Sequence, residues 1–216
     1  MICWSCQKNV EAAEFCSGCS AILPFEGRPD RFVLLGAPKR FSQDMEALER
    51  RYKEAARAVH PDKFARADAQ AKRISTQRTV ALNEAWRTLR DPIAKAEYLL
   101  GLLGIDLGAE DGTVRTTGQG KMKVSVPAGL LQEMMEKNEA LMEARFADDE
   151  ATALALGAEV RARQTVAMDD AISALDTQGP GDAERAAGAL VAVRYYRRFL
   201  ESIDEGGAQS PGVNHG

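Results

Sequence analysis

Four cysteines and one His-Pro-Asp tripeptide are the residues of this chain whose types and spacing suit chemistry. All four cysteines lie within the first 19 residues, as Cys3-Trp4-Ser5-Cys6 and, after nine intervening residues, Cys16-Ser17-Gly18-Cys19. Two CxxC pairs make two knuckles, each offering two thiolates, and four thiolates in a tetrahedron are the ligand set of structural zinc. Gly18 lies inside the second knuckle, where a glycine takes a positive φ at little cost. A segment this short buries too little surface to fold alone. Metal binding can make up the deficit, at about 10–16 kcal/mol for structural zinc near neutral pH. Iron held by the same four sulfurs is the alternative. Two disulfides would need an oxidising compartment, and nothing in the chain suggests secretion.

The second candidate is His60-Pro61-Asp62, within "YKEAARAVHPDKF" at residues 52 to 64. A His–Asp pair could act as an acid–base couple, but catalysis needs a third group and a pocket. The only other histidine is His215, and the chain has no phosphate loop or nucleophile elbow. Pro61 cannot continue a helix and pushes His60 out of the helical region, so the tripeptide sits at the tip of a turn. A docking turn is the competing reading. The segment from Lys39 to Arg73 carries ten basic and six acidic residues, a local surplus of four positive charges on a chain whose net charge is −4. Such a patch steers an acidic partner, although a solvated helix face would look the same.

The elements that must hold these residues are helical. The 216 residues are 45% apolar and 28% charged, ordinary for a globular protein, and the acidic balance argues against nucleic-acid binding. No apolar run approaches the roughly 20 residues of a membrane span, and the first residues lack a signal-peptide pattern. A cytoplasmic, soluble protein is expected. Asp30 caps a short helix over residues 31 to 36. A second helix opens at Ser42–Met45, with Met45, Leu48, Tyr52, Ala55 and Val59 as its apolar stripe. A third runs from Ala69 to Leu89, with Ile74, Ala81, Leu82, Ala85, Trp86 and Leu89 inward, and a fourth starts at Pro92 and stops at Gly104. Helices two and three then form an antiparallel hairpin with His60, Pro61 and Asp62 at its open end.

Three more helices are expected over Pro127–Ala147, Asp149–Leu175 and Asp182–Glu205, joined by short turns as in a three-helix bundle. The first carries one apolar stripe too many. Leu130, Met134 and Leu141 suffice for a core, yet Leu131, Met135 and Met142 form a second stripe edged by Glu136, Glu139 and Glu143. The last helix repeats the pattern, with Ala189, Val193, Tyr196, Leu200 and Ile203 inward and Val191, Tyr195 and Phe199 beside them. These extra stripes read either as a partner surface or as packing against the front half or a second copy in a homodimer. The organisation expected is a metal module at 1–26, a helical domain at 30–107, a linker at 108–126, the bundle at 127–205 and a disordered tail at 206–216.

The turn and its hairpin resemble a J-domain, the module that docks on DnaK-type chaperones and stimulates their ATP hydrolysis. "HPDKF" followed by "LNEAWRTLRDPIAKAEYLLGLLGIDL" (82 to 107) is similar to the iron–sulfur co-chaperones of the HscB type. Asn83, Ala85, Trp86, Thr88, Leu89, Pro92, Ala96, Glu97, Tyr98, Leu99 and Leu100 all fall on that family's pattern. Members in animal mitochondria carry a comparable pair of CxxC knuckles in front, and the resemblance spans Cys3 to about residue 203. It implies an all-α, L-shaped protein that is not an enzyme, with structural zinc on Cys3, Cys6, Cys16 and Cys19. It implies that His60, Pro61 and Asp62, backed by Arg50, Arg51, Lys53 and Arg57, meet a DnaK- or HscA-type ATPase. It implies that Leu131, Met135, Glu136, Glu139, Glu143 and Tyr195 hold an IscU-type iron–sulfur scaffold. Gln132 departs from the pattern where an apolar residue is common, and Tyr195 where phenylalanine is common. A general J-protein that binds unfolded clients is the alternative.

Overall fold

In the computed structural model the structure describes residues 1–108, 115–116 and 127–207. Among them are seven α-helices, one 3-10 turn and one pair of two-residue strands. The chain divides into two compact units, Met1–Lys95 and the part from Ala96 onward.

In the first unit each helix starts where a carboxylate can satisfy its unpaired N–H groups. Asp30 accepts from the Phe32 and Val33 amides to open α1 (Arg31–Leu34), and Asp44 from the Ala47 amide to open α2 (Met45–Ala58). Asp68 does the same for α3 (Ala69–Arg90) through the Ala71 amide. Helix α4 (Pro92–Leu102) begins on its proline. Phe32, Leu35, Leu48, Val59, Ile74, Leu82, Ala85 and Leu89 are buried. Tyr52 of α2 stacks on Trp86 of α3 with ring centroids 5.1 Å apart, and its hydroxyl donates to Asn83 Oδ1 at 2.9 Å. Further along, Ser75 of α3 meets Val59 just past the end of α2. Contacts pairing 52 with 86 and 59 with 75 require an antiparallel hairpin.

The first 26 residues lie against α3. Arg78, 7% exposed, donates from Nε to the Leu23 carbonyl at 2.6 Å and from a terminal nitrogen to the Ala13 carbonyl at 2.9 Å. Its guanidinium lies 4.4 Å from the centre of the Phe25 ring. Phe25 opens residues 25–30, in which Gly27 and Pro29 suggest a linker between the metal module and the helical domain. The structure makes it part of a packed contact instead.

In the second unit, β1 (Ile105–Asp106) pairs antiparallel with β2 (Arg115–Thr116). The expected linker did not anticipate this pairing, because these residues lack the alternation that marks a strand. The rest of that linker, apart from Gly108, and the tail from residue 208 lie outside the described residues. Three helices follow: α5 (Leu130–Phe146), α6 (Glu150–Thr177) and α7 (Asp182–Gly207). Helix α7 therefore takes in Gly206 and Gly207, where the composition predicts the start of the tail. Leu130, Met134, Leu141, Val160, Ala192, Tyr196 and Phe199 form their shared core. Gly157 of α6 faces Ile203 of α7, and a Cβ there would come within 3.2 Å of the isoleucine Cδ1. The glycine thus permits the close α6–α7 approach.

Of the two readings of the second stripe on α7, the structure favours internal packing. Val191 and Phe199 are buried at 3% and 2% exposure, and Tyr195 is half-buried against the bundle core. Arg194, one turn from Val191, explains part of this. It donates to Glu97 Oε1 at 2.7 Å and to the carbonyls of Leu107 and Gly108, so this side of α7 faces residues 97–108 rather than solvent. The second stripe of α7 is interior.

Candidate functional sites

The four thiols converge as the spacing requires. Cys3 and Cys19 Sγ are 3.7 Å apart, as are Cys6 and Cys16 Sγ, and all four sulfurs lie within 4.8 Å of one another. Metal–sulfur distances of about 2.3 Å in a tetrahedron give sulfur–sulfur edges of about 3.8 Å, so the donor set fits a four-thiolate ion. The separations are far beyond an S–S bond, and all four cysteines are free.

The two knuckles repeat one backbone turn. The Gln7 amide donates to the Cys3 carbonyl at 3.0 Å and the Ser20 amide to the Cys16 carbonyl at 2.8 Å. Gln7 and Ser20 carry the positive φ values, 60° and 59°. Gly18 does not, contrary to expectation. Its role is close approach, since a Cβ there would sit 3.3 Å from the Lys8 side chain and under 4 Å from the sulfurs of Cys6 and Cys16. A backbone hydrogen bond from Lys8 draws the Cys6 thiol down. Burial and the three neighbouring sulfurs outweigh it and push Cys6 up to about 11. The Ala21 backbone holds Cys19 below the usual thiol range. Four thiolates this close need a cation to share, and a bound metal ion would supply it.

The His-Pro-Asp turn is open. Pro61–Phe64 is a single 3-10 turn capped by His60, whose Nδ1 accepts from the Asp62 amide at 3.3 Å. His60 Nδ1 also lies 3.5 Å from Asp62 Oδ2. The side chains are 54% and 89% exposed. With Nδ1 accepting, a neutral imidazole carries its proton on Nε2 and can offer it to a partner. A shallow groove of about 550 Å³ beside the turn is lined by Tyr52, Lys53, Ala56, Arg57, His60 and Lys63. The groove is wide open, and among the described residues no third group joins the His60–Asp62 pair.

The basic residues of α2 are exposed but not equivalent. Lys53 pairs with Glu49 at 2.7 Å and Arg50 approaches Glu46 at 3.9 Å, each one turn away. Arg51 donates to the Gly36 carbonyl at 2.6 Å. Arg57 has no ion pair among the described residues. Sequence reasoning missed Lys63, Tyr52 and Ala56 as groove-lining residues. Lys63 could have been found from its place one residue after the tripeptide.

Helix α5 separates its two apolar stripes as its period dictates. Leu130, Met134 and Leu141 are 2–5% exposed, while Leu131, Met135 and Met142 are 51%, 65% and 69% exposed. Phe146, at 96%, prolongs the exposed stripe by one turn. The sequence reading ended the stripe at Met142, although the i+4 spacing to Phe146 was there to see. Glu136, Glu139 and Glu143 are exposed, and none makes an ion pair among the described residues. Gln132 donates to Glu136 Oε1 at 3.0 Å.

Residues 126–204 match the family model for the HSCB C-terminal oligomerisation domain. The mouse iron-sulfur cluster co-chaperone protein HscB is 33% identical over 205 residues, spanning 93% of this chain and 80% of the mouse protein. The chain belongs to the HscB family. Two solved HscB structures share its fold. The crystal structure of human co-chaperone protein HscB superposes with a TM-score of 0.77 at 29% identity, covering 94% of this chain and 96% of the human one. Chaperone HscB from Vibrio cholerae gives 0.68 at 25% identity, covering 84% and 99%. The HscB assignment bears out the all-α reading and the resemblance stated from residues 82–107. No helix among the described residues is long and apolar enough to cross a membrane.

Proposed function

We propose that this HscB-family chain is a cytoplasmic co-chaperone of iron–sulfur cluster assembly that brings a scaffold protein to a DnaK- or HscA-type ATPase. The observation that carries the reading is the solvent-open His60-Pro61-Asp62 turn beside a groove rimmed by Lys53, Arg57 and Lys63. A chaperone with an acidic surface meets charge there, which raises its association rate, and the exposed turn supplies directional contacts. Arg50 and Arg51 support this face. Lys53 contributes less charge than its position suggests, because Glu49 holds its ammonium.

The second partner is an IscU-type scaffold carrying the cluster as cargo. Leu131 and Met135 present bare apolar surface, and Glu136, Glu139 and Glu143 edge it with negative charge, so the matching surface is apolar with a basic border. Tyr195 joins this contact only through whatever edge its half-buried ring leaves open. Two partners on one chain raise the effective concentration of client at chaperone. Zinc on Cys3, Cys6, Cys16 and Cys19 is structural in this reading. The reaction chemistry belongs to the chaperone and not to this chain.

His60→Gln leaves the fold intact and abolishes stimulation of the chaperone's ATP hydrolysis, measured at saturating co-chaperone. Full stimulation by that variant refutes the docking role. Leu131→Ala with Met135→Ala weakens scaffold binding by about 2–4 kcal/mol, the scale of apolar hot spots. Calorimetry returning an unchanged affinity would remove α5 from the interface.

A further inference from the structure

We infer that Ser75 is a positioning residue for the His-Pro-Asp turn, acting through the carbonyl of Val59. This rests on the docking role proposed for that turn. Val59 caps α2, and Pro61 prevents the helix from continuing. Terminal carbonyls of a helix have no partner of their own and need one from elsewhere. Val59 is fully buried, so water cannot serve. Ser75, also fully buried, supplies the bond. Its hydroxyl donates to the Val59 oxygen at 2.6 Å, and Thr79 Oγ1, one turn on, reaches the same oxygen at 3.4 Å.

The geometry gives these two hydroxyls leverage. The Val59 carbonyl belongs to the peptide plane that leads into His60. Fixing that oxygen against α3 fixes the plane, and with it the point where His60 leaves the hairpin. The turn Pro61–Phe64 also lies against α3, with Pro61 and Phe64 half-buried, and the Ala65 amide donates to the Asp62 carbonyl at 3.3 Å, but among the described residues no side-chain hydrogen bond from the turn reaches α3. Its own bonds are local, from Lys63 to the His60 carbonyl at 3.0 Å and from the Asp62 amide to His60 Nδ1 at 3.3 Å. Pro61 is half-buried, while His60 and Asp62 are exposed. Ser75 therefore sets the fraction of molecules whose turn is oriented for docking, and apparent affinity scales with that fraction.

The test uses the full-length, metal-loaded chain with a DnaK-type chaperone. Ser75→Ala is expected to keep its helicity and metal content. The concentration giving half-maximal ATPase stimulation should rise about tenfold, with the maximum preserved. Amide exchange at Asp62 and Lys63 should speed up about tenfold, while amides at Leu82 and Leu89 keep their rates. Thr79→Ala, the milder probe should Ser75→Ala fail to fold, should raise the half-maximal concentration about twofold. A folded Ser75→Ala protein with unchanged half-maximal concentration and unchanged Lys63 exchange overturns the assignment, as does exchange that speeds up uniformly along α3. If His60→Gln stimulates as well as the parent chain, the docking role itself fails. Exchange at Lys63 would then still report whether Ser75 holds the turn.

Discussion

Cys16→Ser unfolds the first 26 residues and leaves the α2–α3 hairpin helical. The segment has almost no regular structure to fall back on. Its only strand-like contacts are the isolated bridges Ile2–Asn9 and Phe15–Ile22. Its core is Cys3, Cys16 and Leu23, with Met1, Trp4, Cys6, Val10 and Ala21 around it. Two of the three central side chains thus belong to the cysteine cluster. Apolar burial on this scale offsets only part of the backbone entropy of ordering 26 residues, at about 1–2 kcal/mol each. Structural metal binding, at about 10–16 kcal/mol, supplies much of what remains. Serine keeps the volume of Cys16 but is a poor ligand for a soft four-sulfur site, and most of that free energy goes. Trp4 reports the event, because its indole N–H donates to the Ile22 carbonyl at 2.7 Å. Metal content below one ion per chain and a red-shifted emission, absent from a Trp4→Phe control, are the expected readings. Native Trp4 emission in metal-free protein would show that the segment stands without its ion.

Arg78→Ala should cost about 3–5 kcal/mol, the range for removing one member of a buried charged contact. Three interactions vanish together. Each hydrogen bond from a charged donor contributes about 1.5–3 kcal/mol, and a desolvated cation–π contact about 2. These do not simply add, because they share one side chain. The carbonyls of Ala13 and Leu23 lose their donor, and Phe25 loses its cover. Glu14 sharpens the test. Burial already raises its carboxyl above the ordinary range, and the positive charge of Arg78 opposes that rise. Without Arg78 the folded-state pKa of Glu14 climbs further above its unfolded value. A carboxyl with a raised folded pKa destabilises the fold once pH exceeds the unfolded pKa. The deficit of Arg78→Ala is therefore larger at neutral pH than in mild acid, and denaturant titrations at both conditions should show it. A pH-independent loss under 1 kcal/mol would mean that the contact is solvated.

What could be read beforehand was local in the chain. Helical phase alone separated Leu130, Met134 and Leu141 from Leu131, Met135 and Met142, because neighbours on one helix are set by the 3.6-residue period. Caps at Asp30, Asp44 and Asp68 are equally local, although only Asp30 was named in advance. The cysteine cluster was legible because metal chemistry allows few arrangements of two CxxC pairs. What the sequence left open depends on distant partners. Val191 and Phe199 share the periodicity of an exposed stripe, and nothing near them in the chain tells of Arg194 reaching Glu97, Leu107 and Gly108. Nothing near Arg78 in the chain marks it either, since its partners lie 55 and 65 residues away. Gly18 was misjudged for a different reason. Its type signals backbone freedom, while its actual constraint is the crowd of sulfur and lysine atoms around it.

The seam that Arg78 makes with Ala13, Leu23 and Phe25 bears on how the protein can be taken apart. The cysteine-rich leader is not an appendage that can be trimmed to obtain a smaller co-chaperone. A shortened chain beginning at residue 30 would carry a bare guanidinium in a hollow shaped for two absent carbonyls and a missing aromatic lid, on the same helical turn that grips Val59. Any defect in such a truncate would report that wound as well as the lost metal, and the two would have to be told apart before either was credited to the leader.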